Sequence, residues 1–324
     1  MRTRAAAVAA VLLVLAVAGC SGDSSSPSPQ AGPSAAGPAA AGPGKTPDTS
    51  CNPRASLRPK KALPKPGAMP AGTYMRTIQD RGRLVLGTGQ DLLLFSSRNP
   101  FTGQIEGFDV DMGKQIAEAI FGDASKIQIK VVPYNQRVAA VDKEKPAERV
   151  DLVANTLTAN CARWKDIDFS TIYYDAAKKV LVSANSEFRG MDDLGGKKVC
   201  AAVGSTSYDG IVAAPSKPIP VGRPTFGDCL VAFQQNEVDA ITTDDAILAG
   251  LAAQDPFVKV VGPPLSAEPY GMAISKKHPE FTEFVNAVLE KNRKNGTWKR
   301  TYDEWLHDLG PAPDPPAAQY RADR

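Results

Sequence analysis

The residues best suited to bind a small molecule lie between Val150 and Ser170. A short apolar run, Val150–Ala154, predicts a buried strand, and the polar residues Thr156 and Thr158 follow it directly. Arg163 comes five residues after Thr158, close enough to fold back over both hydroxyls. A guanidinium fork, hydroxyls and free backbone N–H groups together suit a carboxylate. The stretch therefore predicts a carboxylate-binding loop; an exposed loop with a surface arginine is the alternative.

Other predicted strands also end in polar residues. Ligands of open α/β sheets bind beyond the carboxyl ends of the strands. This rule selects Gly89–Asp91, Asn155–Thr158, Gly204–Ser207 and Thr243–Asp245. Thr206 falls at a predicted helix N-terminus, where free N–H groups and the helix dipole favour an anion. Asp244 suits an ammonium group, although it could instead cap the helix that follows; the two roles are compatible, because a carboxylate accepts several hydrogen bonds.

Strands and helices must alternate to position these loops. Strands are predicted at Leu84–Leu86, Ile127–Val132, Val150–Ala154, Lys179–Ser183, Lys198–Ala202, Val238–Thr243, Phe257–Val261 and Tyr270–Ser275. Helices are predicted after a cap at Asp109, near Arg137, after Gly204, and at Asp228–Asn236, Asp244–Ala253, Pro279–Lys294 and Thr297–Leu309. The first block closes with the strand Lys179–Ser183, and a second block begins near Ser186. This order predicts an α/β fold with mostly parallel sheets.

The N-terminus has the features of an export signal. Arg2 and Arg4 precede the 14-residue apolar run Ala5–Ala18, which is shorter than the roughly 20 residues that span a bilayer. The Val-Ala-Gly sequence before Cys20 resembles a bacterial lipobox, which predicts a signal peptide at 1–19 and a lipid on the Cys20 sulfur. The alternative is an ordinary secretory signal followed by an unrelated cysteine. Residues 20–71 are rich in Ser, Pro, Gly and Ala, which predicts a disordered tether.

Charge and cysteine content limit the possible function and cellular location of the protein. Removal of residues 1–19 takes away two arginines and leaves 36 basic against 35 acidic side chains, which argues against nucleic-acid binding. Export places Cys51, Cys161, Cys200 and Cys229 in an oxidising compartment, where they are expected to pair, with three connectivities open. The chain has no CxxC or HExxH pattern and only two histidines, so neither a metal site nor a cofactor is expected.

Five segments together resemble the family 3 solute-binding proteins, the polar amino-acid receptors of ABC importers. They are GFDVDMGKQIAEAIFG, VDLVANTLTANCAR, GKKVCAAVGSTSYDG, VDAITTDDAILAG and GTWKRTYDEWL. The resemblance extends over about Arg81 to Gly310 and is greatest to actinobacterial glutamate- and glutamine-binding lipoproteins. It implies a two-lobed periplasmic-binding-protein-like (type II) fold, with two parallel-type sheets joined by a two-stranded hinge. Lobe 1 is expected at 72–184 plus 270–310, lobe 2 at 185–269 and a C-terminal tail at 311–324.

The resemblance also implies roles for individual residues. In the family, the threonine and arginine positions matched by Thr156, Thr158 and Arg163 hold the α-carboxylate of the ligand. An arginine at the place of Arg137 reaches the side-chain carboxylate of glutamate or aspartate; the alternative is a solvated arginine at a helix start. Further ligand contacts are expected from Thr206 and Asp244 and, secondarily, from Asp91, Asn155, Ser205 and Thr243.

The resulting expectation is a monomeric, extracytoplasmic, lipid-anchored receptor that is not an enzyme. It would bind glutamate or aspartate, with glutamine and asparagine next, and deliver the ligand to an ABC permease. A sensor lipoprotein that signals through a membrane partner is one alternative, and a dehydratase-type enzyme on the same fold is another. From their placement in the second block, Cys200 and Cys229 are expected to pair, which leaves Cys51 with Cys161.

Overall fold

The computed structural model describes residues 50–322. The predicted signal peptide, Cys20 and the tether up to residue 49 lie outside the described residues. Within residues 50–322, no helix combines the length and apolar character needed to span a bilayer.

Short strands and seven α-helices make up the described part of the chain. The helices are α1 (Tyr74–Arg81), α2 (Phe108–Phe121), α3 (Thr206–Ala213), α4 (Phe226–Gln234), α5 (Asp245–Ala252), α6 (Pro279–Lys294) and α7 (Thr297–Trp305). The strands are β1 (Ala55–Ser56), β2 (Leu84–Thr88), β3 (Asp91–Leu92), β4 (Ser96–Arg98), β5 (Ile105–Glu106), β6 (Ile127–Val131), β7 (Leu152–Val153), β8 (Asp168–Phe169), β9 (Tyr174–Ser183), β10 (Lys198–Ala202), β11 (Ile219–Arg223), β12 (Ala240–Asp244), β13 (Val258–Val261), β14 (Ala267–Tyr270), β15 (Ala273–Ile274) and β16 (Gln319–Tyr320). Short 3-10 turns occupy Tyr134–Gln136, Ala139–Asp142, Arg163–Lys165, Met191–Leu194 and His307–Leu309.

Two sheets define two lobes. The first lobe contains the sheet β6-β2-β7-β15-β8, packed with α1, α2, α6 and α7. The second lobe contains the sheet β11-β10-β12-β9-β13, packed with α3, α4 and α5. In each sheet four of these five strands run in the same direction and one runs antiparallel to them: β15 in the first sheet and β9 in the second. The two-lobed α/β architecture expected from the sequence is confirmed.

Strands β9 and β14 cross between the lobes. They pair antiparallel from Tyr174 opposite Tyr270 to Ala177 opposite Ala267. Beyond this crossing, β9 continues as a central strand of the second sheet, between β12 and β13. Chain order predicts Lys179–Ser183 in the first block, but their pairing with β12 and β13 shows that they belong to the second sheet. A single ten-residue strand serves both the crossing and the sheet, and chain order alone does not reveal this.

Residues 50–71 differ from the disordered tether predicted for them. β1 pairs in parallel with β16, so the segment and the C-terminal tail support each other. The Ser56 hydroxyl donates to the Phe169 carbonyl at 2.6 Å, and the Gly67 N–H donates to the Ile120 carbonyl at 2.8 Å. Met69 is buried. Composition predicted a tether because the segment has few apolar residues of its own. Most of the contacts that order it come from residues distant in sequence, which composition does not reveal.

Two glycines allow close approaches that shape the ligand loops. Gly107 precedes α2 with φ 136°, and a Cβ there would lie 2.3 Å from the Phe95 carbonyl oxygen. Gly204 precedes α3 with φ 80°, and a Cβ would lie 2.6 Å from the Asn135 Cα of the first lobe. Only glycine therefore lets the second lobe approach the first at this point.

Both predicted disulfides are present. Cys51 bonds to Cys161 across 110 positions of the chain, and Cys200 bonds to Cys229 across 29. The first fixes the segment after the tether to the loop that carries Arg163. The second joins β10 to α4 inside the second lobe.

We expect the double substitution Cys200→Ala/Cys229→Ala to lower the free energy of unfolding by about 3 kcal/mol, since the closed loop restricts the unfolded chain. Urea denaturation under non-reducing conditions measures this change. A matched pair, Cys51→Ala/Cys161→Ala, should also destabilise the protein, because it opens a longer loop. Non-reducing peptide mapping that recovers a link between Cys51 and Cys200, or between Cys161 and Cys229, would contradict the pairing.

Candidate functional site

A narrow cleft lies between the lobes at the ends of the strands. Its lining is predominantly polar: Tyr134, Arg137, Thr156, Thr158, Ser205, Thr206, Ser207, Phe226, Thr243, Asp244 and Ile247. Seven of the ten predicted ligand residues are in this lining; Asp91, Asn155 and Arg163 lie beside it. The Tyr134 ring meets the Phe226 ring edge-on, with centroids 5.2 Å apart, which brings the lobes together at one side.

The loop after β7 is held by two buried charged residues. Thr156 has φ 41°, a left-handed conformation that is unfavourable for a β-branched residue. Its N–H donates to Asp109 Oδ2 at 2.7 Å, and its carbonyl accepts from Arg137 Nη1 at 3.3 Å. The Thr156 hydroxyl oxygen is buried and has no hydrogen-bond partner among the described residues. The loop is thus fixed through its backbone, and the hydroxyl keeps its full capacity to hydrogen-bond.

Asp109 does not cap α2, as the sequence suggested. The N-cap is Gly107, and Asp109 instead accepts from the Thr156 N–H and, at 2.6 Å, from the Tyr173 hydroxyl. Burial raises the pKa of Asp109 to about 7, although these two hydrogen bonds and the nearby Arg137 act in the opposite direction. The residue therefore positions the loop and lies behind the cleft.

Arg137 is buried between two 3-10 turns, and the short helix predicted near it is the 3-10 turn Ala139–Asp142. Its guanidinium donates only to backbone carbonyls: Tyr134 at 3.0 Å, Asn155 at 3.0 Å, Thr156 at 3.3 Å and Gly204 at 3.3 Å. It also stacks over the Tyr134 ring, 4.6 Å from the centroid. Burial lowers the pKa of Arg137. Carbonyls satisfy its N–H groups but leave its charge without a carboxylate partner among the described residues.

Arg163 begins a 3-10 turn and reaches across the cleft. Nη1 donates to the Thr158 carbonyl at 2.7 Å, and Nη2 donates to the Gly204 carbonyl of the second lobe at 3.2 Å. Burial, followed by repulsion from Arg137, lowers the pKa of Arg163 to about 9. Within residues 50–322 it forms no ion pair, so an anionic ligand would relieve the repulsion between the two guanidinium groups.

Asp244 ends β12, and its side chain makes no capping hydrogen bond to α5. Oδ2 accepts from the Tyr270 hydroxyl at 2.6 Å, whereas Oδ1 is buried without a partner among the described residues. Burial, and next the negative charge of Glu268, raises the pKa of Asp244 to about 7. Of the two roles left open by the sequence, helix cap and ammonium acceptor, the geometry favours the second.

Thr158 and Thr206 bind a residue that sequence reasoning missed. Both hydroxyls donate to Glu268 Oε2, at 2.7 Å and 2.8 Å respectively. Glu268 lies on the crossing strand β14 and is paired with Lys178 on β9. No local pattern marks Glu268, because it reaches the cleft only through the pairing of β9 with β14. Tyr134, Ser207, Phe226 and Ile247 were also missed, since their side chains resemble those of ordinary core or turn residues.

The four secondary candidates divide into two groups. Ser205 and Thr243 line the cleft, and Ser205 also caps α3 by accepting from the Tyr208 N–H at 3.1 Å. Asn155 and Asp91 lie beside it. Asn155 donates to the Val132 carbonyl at 3.2 Å, while Asp91 accepts from the Gly227 N–H of the second lobe at 3.4 Å.

Taken together, the cleft lining has one carboxylate oxygen, of Asp244, and two hydroxyls, of Tyr134 and Thr156, without partners among the described residues. Beside them lie two guanidinium groups without carboxylate partners. Such a site can hold a small molecule that carries both a cation and an anion. Across residues 50–322, no cluster of three or more histidine, cysteine, aspartate or glutamate side chains is arranged to hold a metal ion.

The raised pKa of Asp244 predicts a pH-dependent stability. Because the folded-state pKa of about 7 exceeds the ordinary value of 3.8, the stabilising contribution is present below pH 3.8 and is lost as the pH rises through about 7. Asp244→Asn cannot ionise, so it should raise the thermal midpoint of the ligand-free protein by several degrees at about pH 8, where each kcal/mol corresponds to about 2–4 °C. At about pH 4 the gain should be much smaller.

Differential scanning calorimetry at both pH values checks this expectation. The control is Asp303→Asn, which removes an exposed ion pair to Lys299 and should change the midpoint little at either pH. An Asp244→Asn midpoint equal to or below wild type at about pH 8 would contradict the buried, ionised carboxylate described above.

Comparisons with known proteins agree with this geometry. Residues 84–308 match the family model of bacterial extracellular solute-binding proteins, family 3. The ABC transporter glutamine-binding protein GlnH of Bacillus subtilis is 33% identical over 235 residues, which is 72% of this chain and 85% of that protein. The glutamate-binding protein GluB of Corynebacterium efficiens is 28% identical over 252 residues, 74% of this chain and 84% of that protein.

Solved structures share the fold. Holo ArgBP from T. maritima superposes with a TM-score of 0.62 at 27% identity, covering 71% of this chain and 99% of that one. An ancestral arginine-binding protein bound to glutamine gives a TM-score of 0.64 at 30% identity, covering 70% of this chain and 98% of that one. With the family model matching more than half of its residues, the chain belongs to the bacterial extracellular solute-binding proteins, family 3.

Proposed function

We propose that this protein is an extracytoplasmic receptor that binds an acidic or amide amino acid between its lobes and delivers it to an ABC permease. One observation carries the proposal: the unpartnered Asp244 Oδ1 and the unpartnered Thr156 hydroxyl border one cleft, beside two guanidinium groups. Named relatives include glutamine- and glutamate-binding proteins, one of them described as part of an ABC transporter.

The ammonium group and the α-carboxylate of an amino acid would bind at opposite sides of the cleft. The ammonium would donate to Asp244 Oδ1, which would lower the pKa of that carboxyl and stabilise its ionised form. The α-carboxylate would accept from Arg163 and from the Thr156 hydroxyl. Thr158 and Thr206 contribute less directly than the sequence suggested, because their hydroxyls already donate to Glu268.

Charge favours glutamate or aspartate over the amides. Arg137 and Arg163 bring two positive charges, and Asp244, ionised by the ligand ammonium, brings one negative charge. Glu268 is already paired with Lys178, and Asp109, whose pKa burial raises to about 7, is counted as protonated. A ligand with two carboxylates and one ammonium brings the sum to zero, whereas glutamine or asparagine leaves one positive charge. Unbalanced buried charge is unfavourable, so we expect acidic ligands first and amides second. An amide oxygen can still accept a hydrogen bond from a guanidinium.

The delivery step uses the two lobes. Ligand contacts from both sides favour the closed arrangement, and a membrane partner that recognises only this arrangement responds to bound ligand. We propose a monomer held at the membrane by lipid on Cys20. The folded body begins at the disulfide of Cys51, which leaves a tether of roughly 30 residues between lipid and body.

A thermal-shift screen of the common amino acids tests the ligand class. Glutamate and aspartate should give the largest increases, and a ligand at about 100 times its dissociation constant adds about 2.7 kcal/mol of stability. Glutamine and asparagine should follow, with lysine and arginine inactive. A screen led by basic or large apolar amino acids would refute the ligand class but not amino-acid binding as such.

The variant Arg137→Met extends the screen. Arg137 also holds the loop carbonyls, so its loss is expected to weaken all ligands. The informative quantity is the ratio of glutamate to glutamine affinity, which should fall by about tenfold or more if the guanidinium offsets the ligand's second carboxylate. An unchanged ratio would assign Arg137 to positioning of the loop alone.

Arg163→Ala tests the α-carboxylate contact. Loss of one partner of a charged hydrogen-bonded pair should weaken binding by about 2–5 kcal/mol, as measured by titration calorimetry. The control is Arg223→Ala, which removes a partly exposed arginine paired with Glu237 at 2.6 Å in the second lobe and absent from the cleft lining. Wild-type affinity in Arg163→Ala would overturn the proposed site.

Lipid attachment is tested at Cys20. Metabolic labelling with a palmitate analogue should tag the wild-type protein, and Cys20→Ala should abolish the label because the acceptor sulfur is absent. Ligand affinity should be the same for the two full-length proteins. Equal labelling of the two proteins would contradict the lipoprotein assignment.

A further inference from the structure

Glu268 joins the two lobes through a single carboxylate. It lies on β14, one of the two crossing strands, and its side chain is buried. Oε2 accepts from Thr158, in the loop after β7 of the first lobe, and from Thr206, the first residue of α3 in the second lobe. Both bonds are shorter than 3 Å and are made by protein atoms alone. One oxygen therefore bridges the lobes directly across the cleft.

Lys178 completes the bridge from the other crossing strand. Glu268 lies opposite Ala176 in the register of β9 and β14, so Lys178 projects from the same face two residues along. Its Nζ lies 2.8 Å from Glu268 Oε1 and donates to the Thr206 carbonyl at 3.0 Å. The start of α3 is thereby held both through its hydroxyl and through its backbone.

The bridging carboxylate is held in its ionised form. Burial opposes ionisation, but the Lys178 ammonium and hydrogen bonds from Ser266 and Thr158 keep the pKa of Glu268 below its usual range. Hydrogen bonds to an ionised acceptor are roughly twice as strong as neutral ones. The bridge is therefore made of strong interactions in a buried position, where solvent competes little.

We propose that Glu268 is a positioning residue that sets how much of the protein is closed before ligand binds. The proposal rests on the proposed function, because closure matters only if a ligand binds between the lobes. A ligand that needs the closed arrangement binds with an apparent dissociation constant raised by the reciprocal of the closed fraction. By raising that fraction, Glu268 strengthens binding without touching the ligand. It also occupies the two threonine hydroxyls and leaves Thr156 and Arg163 for the α-carboxylate.

The test compares two double variants in which the buried ion pair is removed in the same way. Lys178→Met/Glu268→Leu eliminates the acceptor, and neutral replacement of both partners avoids an unpaired buried charge. Lys178→Met/Glu268→Gln retains a side-chain oxygen that both threonines can still use. Ser266→Ala is the matched control, since it removes a 2.7 Å bond to the same carboxylate that does not join the lobes. Circular dichroism and thermal melts establish that each variant is folded.

Two measurements decide the outcome: the radius of gyration of the ligand-free protein by small-angle X-ray scattering, and glutamate affinity by calorimetry. The Leu variant should be more expanded than wild type and bind about tenfold more weakly, on the scale of one charged hydrogen bond. The Gln variant should be intermediate, and Ser266→Ala should match wild type.

A Leu variant with wild-type scattering overturns the proposal, whatever its affinity, because Glu268 would then act within the ligand site only. Wild-type affinity in an expanded Leu variant also overturns it, since closure would not be coupled to binding. If the wild-type protein binds no amino acid, the proposed function fails; the scattering comparison still shows whether Glu268 controls closure.

Discussion

The structure depends on one backbone position, Thr156, which is held in a left-handed conformation. A β-branched residue adopts this conformation at a cost of about 1–2 kcal/mol. Asp109 from α2 binds its N–H and Arg137 binds its carbonyl, so two charged side chains offset that cost. Thr158 and Arg163 lie in the continuation of this loop. The geometry of the first lobe's half of the cleft therefore follows from how this single peptide is anchored.

The second lobe contributes a carboxylate in an unfavourable setting. Asp244 is buried with one oxygen hydrogen-bonded and the other without a partner in the described part of the chain. Such a group lowers stability near neutral pH and gains its partner only from outside the protein. A buried polar group without a partner calls for an explanation, and a ligand in the cleft would supply the partner that this carboxylate lacks.

The local sequence was sufficient to predict which residues lie at the cleft when each of them directly follows its own strand. The loop from Asn155 to Arg163, Asp244 and Thr206 are all placed at the cleft or beside it, as expected from polar residues that follow apolar runs. The core elements α6 and β10 begin and end as predicted. Glu268 was missed because its position depends on the register of two strands about 90 residues apart. Residues 50–71 were assigned to the tether because their ordering depends on β16, near the opposite end of the chain.

Arg137 shows why hydrogen bonding and charge must be considered separately. Its N–H groups donate to four carbonyl oxygens, so no ligand is needed to satisfy its hydrogen-bonding capacity. Carbonyl dipoles do not cancel a full charge, however, and the nearest carboxylates, Asp109 and Asp244, are themselves buried with raised pKa values. Protonation of those carboxyls would leave the guanidinium charge unbalanced, whereas a ligand carboxylate adds the missing charge. Selectivity for acidic over amide ligands would then arise from the electrostatic balance of the whole cleft, with Arg137 as its fixed positive charge.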